Sequence, residues 1–320
     1  VAAGGTGAAQ RAGHSQAGGD FLRDGDPMSR YRFVEAERAH YPVTELCRVV
    51  KVSRAAYYAW QDGTESAGQQ ENARLTAAIR AIHTASGGQY GAPRVHRELV
   101  EQGETVSRKR VARLMAAAGL QGRRPRRWVR TTTPEATPPP IPDRVQGEFT
   151  APAPDVVWVG DITYVWTWEG WLYLATVLDV FSRRVVGWAL AGHMRAELVC
   201  DALRMAVATR GGTVAGVIFH SDRGSQYTSA AFRELCGHHG IDQSMGRTGV
   251  CWDNALAESF FATYKLELID GQSWPTRARA RSATVQWLEA VYNRQRRHSA
   301  IDMLSPVDYE ERYWERRAAA

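Results

Sequence analysis

Three carboxylates stand where the sequence could use them for chemistry on phosphate esters. Asp161 interrupts the β-rich run 156–165, Asp222 follows the short apolar run 217–220 within Ser221-Asp222-Arg223-Gly224-Ser225, and Glu258 lies in a helical pattern that begins at Asp253-Asn254. Phosphoryl transfer between nucleic-acid strands needs a clamp on both the attacking and the leaving oxygen, and two divalent ions roughly 3.5 to 4 Å apart supply it. Carboxylates are the hard oxygen ligands that Mg²⁺ prefers. Three of them converging without a cation would repel and raise one another's pKa values, so convergence implies metal. Each residue also has an ordinary reading: Asp161 as an outward position on a half-exposed strand, Asp222 as a turn residue, Glu258 as a solvated helix position. On that helix Asn254, Glu258, Phe261 and Lys265 share one face and Leu256, Phe260 and Tyr264 form the apolar stripe, so Lys265 points with Glu258 two turns on.

The elements that would position these groups follow from periodicity. Residues 156–165, 171–179 and 185–190 are β-rich runs on short connections, an antiparallel meander. A helix at 196–209, a strand at 217–220, a helix at 230–238, a brief strand at 243–245 and a helix running through Leu268 come next. The final 50 residues are mainly helical through Trp287, Leu288, Val291 and Tyr292, until Pro306 breaks the pattern. Cys236, His238 and His239 with Cys251 invite a zinc site, but their spacing fits no common structural one.

The chain has 320 residues, 40 Lys and Arg against 34 Asp and Glu, and a formal charge of +6. Residues 1–150 hold 22 basic and 15 acidic residues, a charge of +7, and residues 151–320 hold 18 and 19, a charge of −1. The basic half is therefore the part expected to meet a polyanion. At 44% hydrophobic and 10% aromatic residues the chain can build a core. Four scattered cysteines without a C-x-x-C pair favour a reducing cytoplasm. The longest apolar run, 171–181, is short of a membrane span and interrupted by Asp179.

Within the basic half, residues 1–28 are small and polar, a disordered lead, with periodic sequence starting after Met28. Two helix-turn-helix patterns follow. In the first, Val43, Leu46, Val49 and Val50 precede Ser53, the expected N-cap of a second helix. In the second, Pro93, Val95, His96 and Leu99 precede a turn with Gly103, and Ser107 caps a basic helix carrying Arg108, Lys109, Arg110 and Arg113. A short, capped, basic second helix suits the major groove; a small helical bundle with solvated charges is the alternative. Arg123, Arg124, Arg126, Arg127 and Arg130 around Trp128, then a Pro-rich stretch, form an extended basic linker able to track a phosphate backbone.

These motifs together resemble a known family. Val157-Trp158-Val159-Gly160-Asp161-Ile162-Thr163-Tyr164, Leu178-Asp179-Val180-Phe181-Ser182-Arg183-Arg184, His220-Ser221-Asp222-Arg223-Gly224-Ser225-Gln226-Tyr227 and Asp253-Asn254-Ala255-Leu256-Ala257-Glu258-Ser259-Phe260-Phe261 occur in order. With Tyr90-Gly91, Pro93-Arg94-Val95-His96, Tyr292-Asn293, Arg296-Arg297-His298 and Ser305-Pro306, they resemble the OrfB-type transposases of the IS3 family of insertion sequences, which have a retroviral-integrase-like catalytic core. The resemblance covers the chain from Met28 onward. It implies an α/β fold, a ribonuclease-H-like mixed five-stranded sheet with flanking helices, preceded by helical helix-turn-helix domains.

It further implies that Asp161, Asp222 and Glu258 are the catalytic, metal-holding triad, with the characteristic 35 residues between the last two. Two Mg²⁺ ions, or Mn²⁺ in their place, would be the cofactors. Lys265 would contact DNA, with Arg108, Lys109, Arg110, Arg113, Arg123, Arg124, Arg126, Arg127, Arg296, Arg297 and His298 as further DNA contacts, the last three as a basic face. Asp179, a fourth possible ligand, takes a structural role because the family's triad omits it. The zinc module of retroviral integrases has no counterpart here, and Arg144-Val145-Gln146-Gly147-Glu148-Phe149 matches the family only loosely.

The expected reaction is donor-end cleavage followed by 3′-hydroxyl strand transfer. The partners would be the element's terminal inverted repeats, target DNA, OrfA as a separate or frameshift-fused protein, and further copies on paired ends, in the bacterial cytoplasm at the nucleoid. The expected domains are the lead 1–28, helix-turn-helix units 29–64 and 70–121, the linker 122–152, the catalytic core 153–271 and a helical extension 272–320. Two alternatives stay open: a DNA-binding protein with an inactive core, and a ribonuclease-H-like nuclease that does not join strands.

Overall fold

The computed structural model describes residues 27–63, 65–123, 141–246 and 255–319. Residues 1–26 of the expected lead and 124–140 of the expected linker, with Arg124, Arg126 and Arg127, lie outside the described residues. So do Asp253 and Asn254, where the last core helix was expected to begin. The chain divides into two compact units, residues 1–81 with 112–119 and residues 82–111 with 120–320.

In the first unit α1 (Pro27–Glu37) precedes the hairpin α2 (Val43–Val49) and α3 (Arg54–Gln61). Lys51 takes φ 56° to make the tight turn, and the Ser53 hydroxyl accepts the Ala56 amide at 3.1 Å, the expected N-cap. Val34, Leu46, Cys47, Val50 and Tyr57 make the core of this unit. Tyr31 stacks on Trp60 with centroids 5.7 Å apart. The 19-residue α4 (Ala67–Ala85) was not anticipated from the sequence, because the apolar positions of Ala67–Ala85 are mostly alanines, which leave little amphipathic contrast.

The second unit holds α5 (Ala92–Glu101) and the start of α6 (Arg108–Ala117), then β1 (Val157–Thr167), β2 (Gly170–Asp179), β3 (Val185–Ala191), α7 (Ala196–Thr209), β4 (Ile218–Ser221), α8 (Ala230–His238), β5 (Asp242–Met245) and α9 (Ala255–Tyr264). A π-helical turn, Lys265–Ile269, extends α9. The helix α10 (Arg277–Gln286) continues into a second π-helical stretch, Trp287–Tyr292, and α11 (Pro306–Ala318) closes the chain. Pro306 opens a helix instead of ending one: at the first helical position its missing N–H has no partner to lose, and Ser305 caps the turn through the Asp308 amide at 3.2 Å.

The sheet order is β3-β2-β1-β4-β5. β1–β2–β3 are antiparallel and β1–β4–β5 parallel, the mixed five-stranded ribonuclease-H-like sheet. Side chains alternate across the strands, so each face has its own core. Val157, Val159, Val165, Leu172, Leu174 and Leu178 pack with α9, α10 and Trp287–Tyr292. Trp158, Ala175, Val177 and Phe219 pack with α7 and α8 on the other side.

Two glycines permit close approach. A Cβ on Gly160 would stand 2.3 Å from Phe219, and one on Gly187 would stand 2.2 Å from the Ala202 carbonyl and 2.6 Å from the Ala206 amide. Phe219 could shift, but the backbone of α7 against β3 cannot. Gly187→Ala is therefore expected to lower stability by about 1–3 kcal/mol or more, read as a shift of the denaturant midpoint at unchanged slope. A midpoint equal to that of the unsubstituted chain would show that α7 can slide outward at little cost.

Candidate active site

Strand register brings the first two carboxylates together. β1 and β4 run parallel with Val159 opposite His220, so two residues farther on Asp161, midway along β1, comes level with Asp222, just past the carboxyl end of β4. The period of two puts Asp161 on the face of Val159, the face covered by α9. Glu258 lies in the first turn of α9, exposed at its solvent edge. Asp161 is half-buried on the inward face, so the outward position that composition allowed does not hold.

The electrostatics show that these groups sense one another. Burial first, then the charge of Asp222, raises the Asp161 carboxyl to about 8; Glu258 adds to the rise, while the Ile162 amide and Lys265 oppose it. The Ile162 N–H donates to Asp161 Oδ1 at 2.7 Å. Burial also raises Asp222, which accepts the Gly224 amide at 3.0 Å, and Glu258. Among the described residues no three His, Cys, Asp or Glu side chains are drawn to metal-holding separation. Asp161 nevertheless stands in the field of two other carboxylates, with Lys265 as the opposing cation.

Lys265 lies at the start of the π-helical turn, its Nζ 5.1 Å from the Tyr164 ring centroid. The turn is closed by the Asp270 amide on the Lys265 carbonyl at 2.7 Å, an i→i+5 bond that changes which residues of this segment face the sheet. Phe261 departs from its expected polar face: it is buried with Leu256, Phe260 and Tyr264, so the apolar stripe is wider than read. Tyr227 is a site residue that sequence reasoning overlooked. It is buried between Phe219 and Phe232, and burial, then Asp161 and Asp222, hold its hydroxyl well above the usual tyrosine range. Its only sequence signal is its place in Ser225-Gln226-Tyr227.

Asp179 is fully buried and accepts from the Ser182 amide at 2.8 Å and the Asp155 amide at 2.7 Å. Its oxygens are committed to the turn after β2. Cys236 is buried and free, and Cys251 lies outside the described residues.

The expected basic face of Arg296, Arg297 and His298 is corrected by the structure. Arg296 is 2.9 Å from Glu267, and Arg297 is 2.8 Å from Glu98 and also pairs with Glu101. His298 is buried, and burial, then Arg296, lower its pKa well below 6.5. The chain places these charges inward because the Tyr90 hydroxyl, 3.1 Å from the Gln295 carbonyl and accepting the Arg297 amide, fastens α5 to this segment. By contrast α6 exposes Arg108, Lys109 and Arg113 while burying Val111, Leu114 and Met115, and Arg110 is half-buried. Arg123 is exposed, with Nη1 donating to the Leu266 carbonyl at 2.9 Å.

Comparison with known proteins then decides the family. Two integrase core domain models match residues 151–251 and 239–306, and an HTH-like domain model matches 69–128. The transposase InsF for insertion sequence IS3A of Escherichia coli (strain K12) is 38% identical over 283 residues, 88% of this chain and 98% of that protein. This chain belongs to the IS3 family of insertion-sequence transposases. A 31 kDa protein of insertion element IS600 from Shigella sonnei is 39% identical over 268 residues, 84% of this chain and 98% of that one. Among solved structures, the HTLV-2 integrase catalytic core domain in complex with magnesium is 17% identical, covering 50% of this chain and 98% of that one at a TM-score of 0.37. As a transposase with an integrase core, the protein is a polynucleotidyl transferase that acts in DNA transposition. Among the described residues no helix is long and apolar enough to cross a membrane.

Proposed function

We propose that Asp161, Asp222 and Glu258 are the catalytic carboxylates that cut the element's ends and join them to new DNA. The observation that carries this reading is the raised Asp161 carboxyl, about 8, beside Asp222 and within the field of Glu258. Carboxylates that raise one another's pKa with a single opposing lysine are a cation site by their donor chemistry. Three carboxylates are the donor type that two Mg²⁺ ions, or Mn²⁺, would take once drawn together around them, and the ions when bound would supply the charge that steadies both the attacking and the leaving oxygen.

The chain's own residues do the rest. Asp161 and Asp222, fixed by strand register and by the Ile162 and Gly224 amides, define one wall of the reaction site. Glu258 approaches from α9 as the adaptable ligand, and Lys265 brings a cation for DNA to the same edge. In the first step a water oxygen bonds to phosphorus and the P–O3′ bond breaks, releasing a 3′-hydroxyl. In the second that hydroxyl attacks a target phosphodiester and displaces another 3′-oxygen, so one phosphodiester forms as one breaks. Arg108, Lys109, Arg110 and Arg113 on α6 and the linker arginines Arg123, Arg124, Arg126 and Arg127 would grip terminal repeats and target. OrfA and further copies of the chain would complete the assembly on two ends. The helix-turn-helix units at 29–64 and 70–121 would serve recognition, 153–271 catalysis.

The direct test supplies the OrfA-joined protein with labelled element ends and Mg²⁺. Cleaved and joined products are expected with the ion and neither once it is chelated. Cleavage without joining would identify a nuclease instead, and products that survive chelation would remove the metal-dependent chemistry.

A further inference from the structure

A cleft of about 330 Å³ opens on the flank of α9 opposite the carboxylates. Leu256, Ser259, Phe260 and Thr263, at helical spacing, form one wall. Glu258 and Lys265 fall on the other side of the same helix. The remaining walls carry Arg94, Arg123, Arg183 and Arg296, with Glu267 as the only acidic lining residue among the described residues. Glu267 is already paired with Arg296 at 2.9 Å. Arg94, Arg123 and Arg183 have no carboxylate ion pair among the described residues, and the buried Nε of Arg183 has no hydrogen-bond partner.

We propose that this arginine-lined cleft binds a non-scissile phosphate of the DNA backbone that is held at the carboxylate site. The proposal rests on the catalytic reading given above, which fixes where the reacting phosphate lies. A helix is roughly 10 Å across, so the phosphate on the far flank of α9 would be a near neighbour of the scissile one on the same backbone and not the scissile phosphate itself. Planar guanidinium forks match phosphate oxygens bidentately. The Ser259 side chain on the wall adds a hydroxyl donor of the kind phosphates accept, while the Thr263 hydroxyl donates to the Ser259 carbonyl at 3.0 Å.

Independent signs of excess positive potential sit in the same walls. Burial, then Arg296, lower the Arg94 pKa. Arg94, Arg183 and Arg296 all oppose protonation of His298, after burial itself. A folded protein that keeps like charges this close, with one acid among them, has left room for an anion.

The test measures binding of the full chain to duplex element ends across salt, from about 50 to 200 mM. Arg94→Gln and Arg183→Gln are each expected to lower the log–log salt slope by about 1. Arg204→Gln, an exposed residue paired with Asp201 away from the cleft, should leave it unchanged. Neutral methylphosphonates placed one at a time at the phosphates flanking the cleavage point should include one that weakens the unsubstituted chain and has no further effect on Arg94→Gln. A slope and methylphosphonate response in Arg94→Gln equal to those of the unsubstituted chain, at unchanged melting temperature, would overturn the proposal. So would inorganic phosphate raising the melting temperature through Arg94 while the DNA slope stayed constant, since the cleft would then serve a free anion. If Arg183→Gln fails to fold, Arg94→Gln decides alone. Normal salt slopes in a chain that does not cleave would remove the catalytic reading and leave the cleft standing.

Discussion

Glu258→Gln and Asp161→Asn are each expected to abolish end cleavage and strand transfer while leaving binding to element-end duplex intact. Both substitutions keep side-chain volume and replace a charged oxygen ligand by a neutral amide. Transition-state charge stabilisation by held ions is worth several kcal/mol, so the loss should be on the order of 10³-fold or more in rate. Cleavage and joining should fall together, because one set of carboxylates serves both steps. Asp161→Asn also removes a buried acid that Asp222 and Glu258 repel, so the metal-free variant should melt no lower than the unsubstituted chain. Equal cleavage by Glu258→Gln and the unsubstituted chain would sink the assignment of Glu258. Loss of activity with loss of folding would leave the Asp161 variant uninformative, and the Gln variant, on an exposed position, would then decide.

Glu310→Ala is expected to destabilise the second unit by about 3–5 kcal/mol, as when one partner of a buried ion pair is removed. Glu310 lies on α11, 3% exposed, with Oε1 2.5 Å from Arg210 and Oε2 2.7 Å from Arg184. Ser182 Oγ stands 2.7 Å from Glu310 and 2.8 Å from Asp179, and Arg210 reaches on to Asp155 at 2.7 Å. The network ties the last helix to the turn after β2 and to the strand that carries Asp161. Burial alone would raise the Glu310 carboxyl, but the Arg210 hydrogen bonds and charge, with Ser182 and Arg184, bring it below 4.5. A carboxyl depressed in the folded state contributes stability above its unfolded pKa and loses it as pH falls through the folded one. The stability gap between the unsubstituted chain and Glu310→Ala should therefore be full at neutral pH and shrink below about pH 4.5. Denaturant midpoints at several pH values would show this; a gap that is absent at pH 7 would mean that α11 docks through its aromatic contacts alone.

Much of the fold can be read from local pattern because alternation and capping are local physics. The strands around Asp161 and the Ser53 cap are fixed by neighbours a few residues away. The wrongly read positions are those where a distant partner decides. Phe261 looked polar-facing until the sheet supplied an apolar wall. Arg297 looked like part of an open DNA face until Glu98 and Glu101 came to meet it from about 200 residues away in the chain, and Arg296 turned inward to Glu267 and the cleft wall. Tyr227 is marked in the sequence only by its place in Ser225-Gln226-Tyr227, since the folded turn after β4 is what sets its hydroxyl in the field of two carboxylates.

The sequence by itself determined the residue types, the spacing that marks the IS3 resemblance, the order of strands and helices, and the split of charge between the two halves. Those are properties of composition and short-range periodicity. Only the tertiary structure decided that parallel register sets Asp161 level with Asp222, that a π-helical turn ends the helix of Glu258, and that four arginines gather on its opposite flank. The ion pairs that fix Arg296, Arg297 and Glu310 form across space, after burial of the apolar faces has fixed which segments are neighbours.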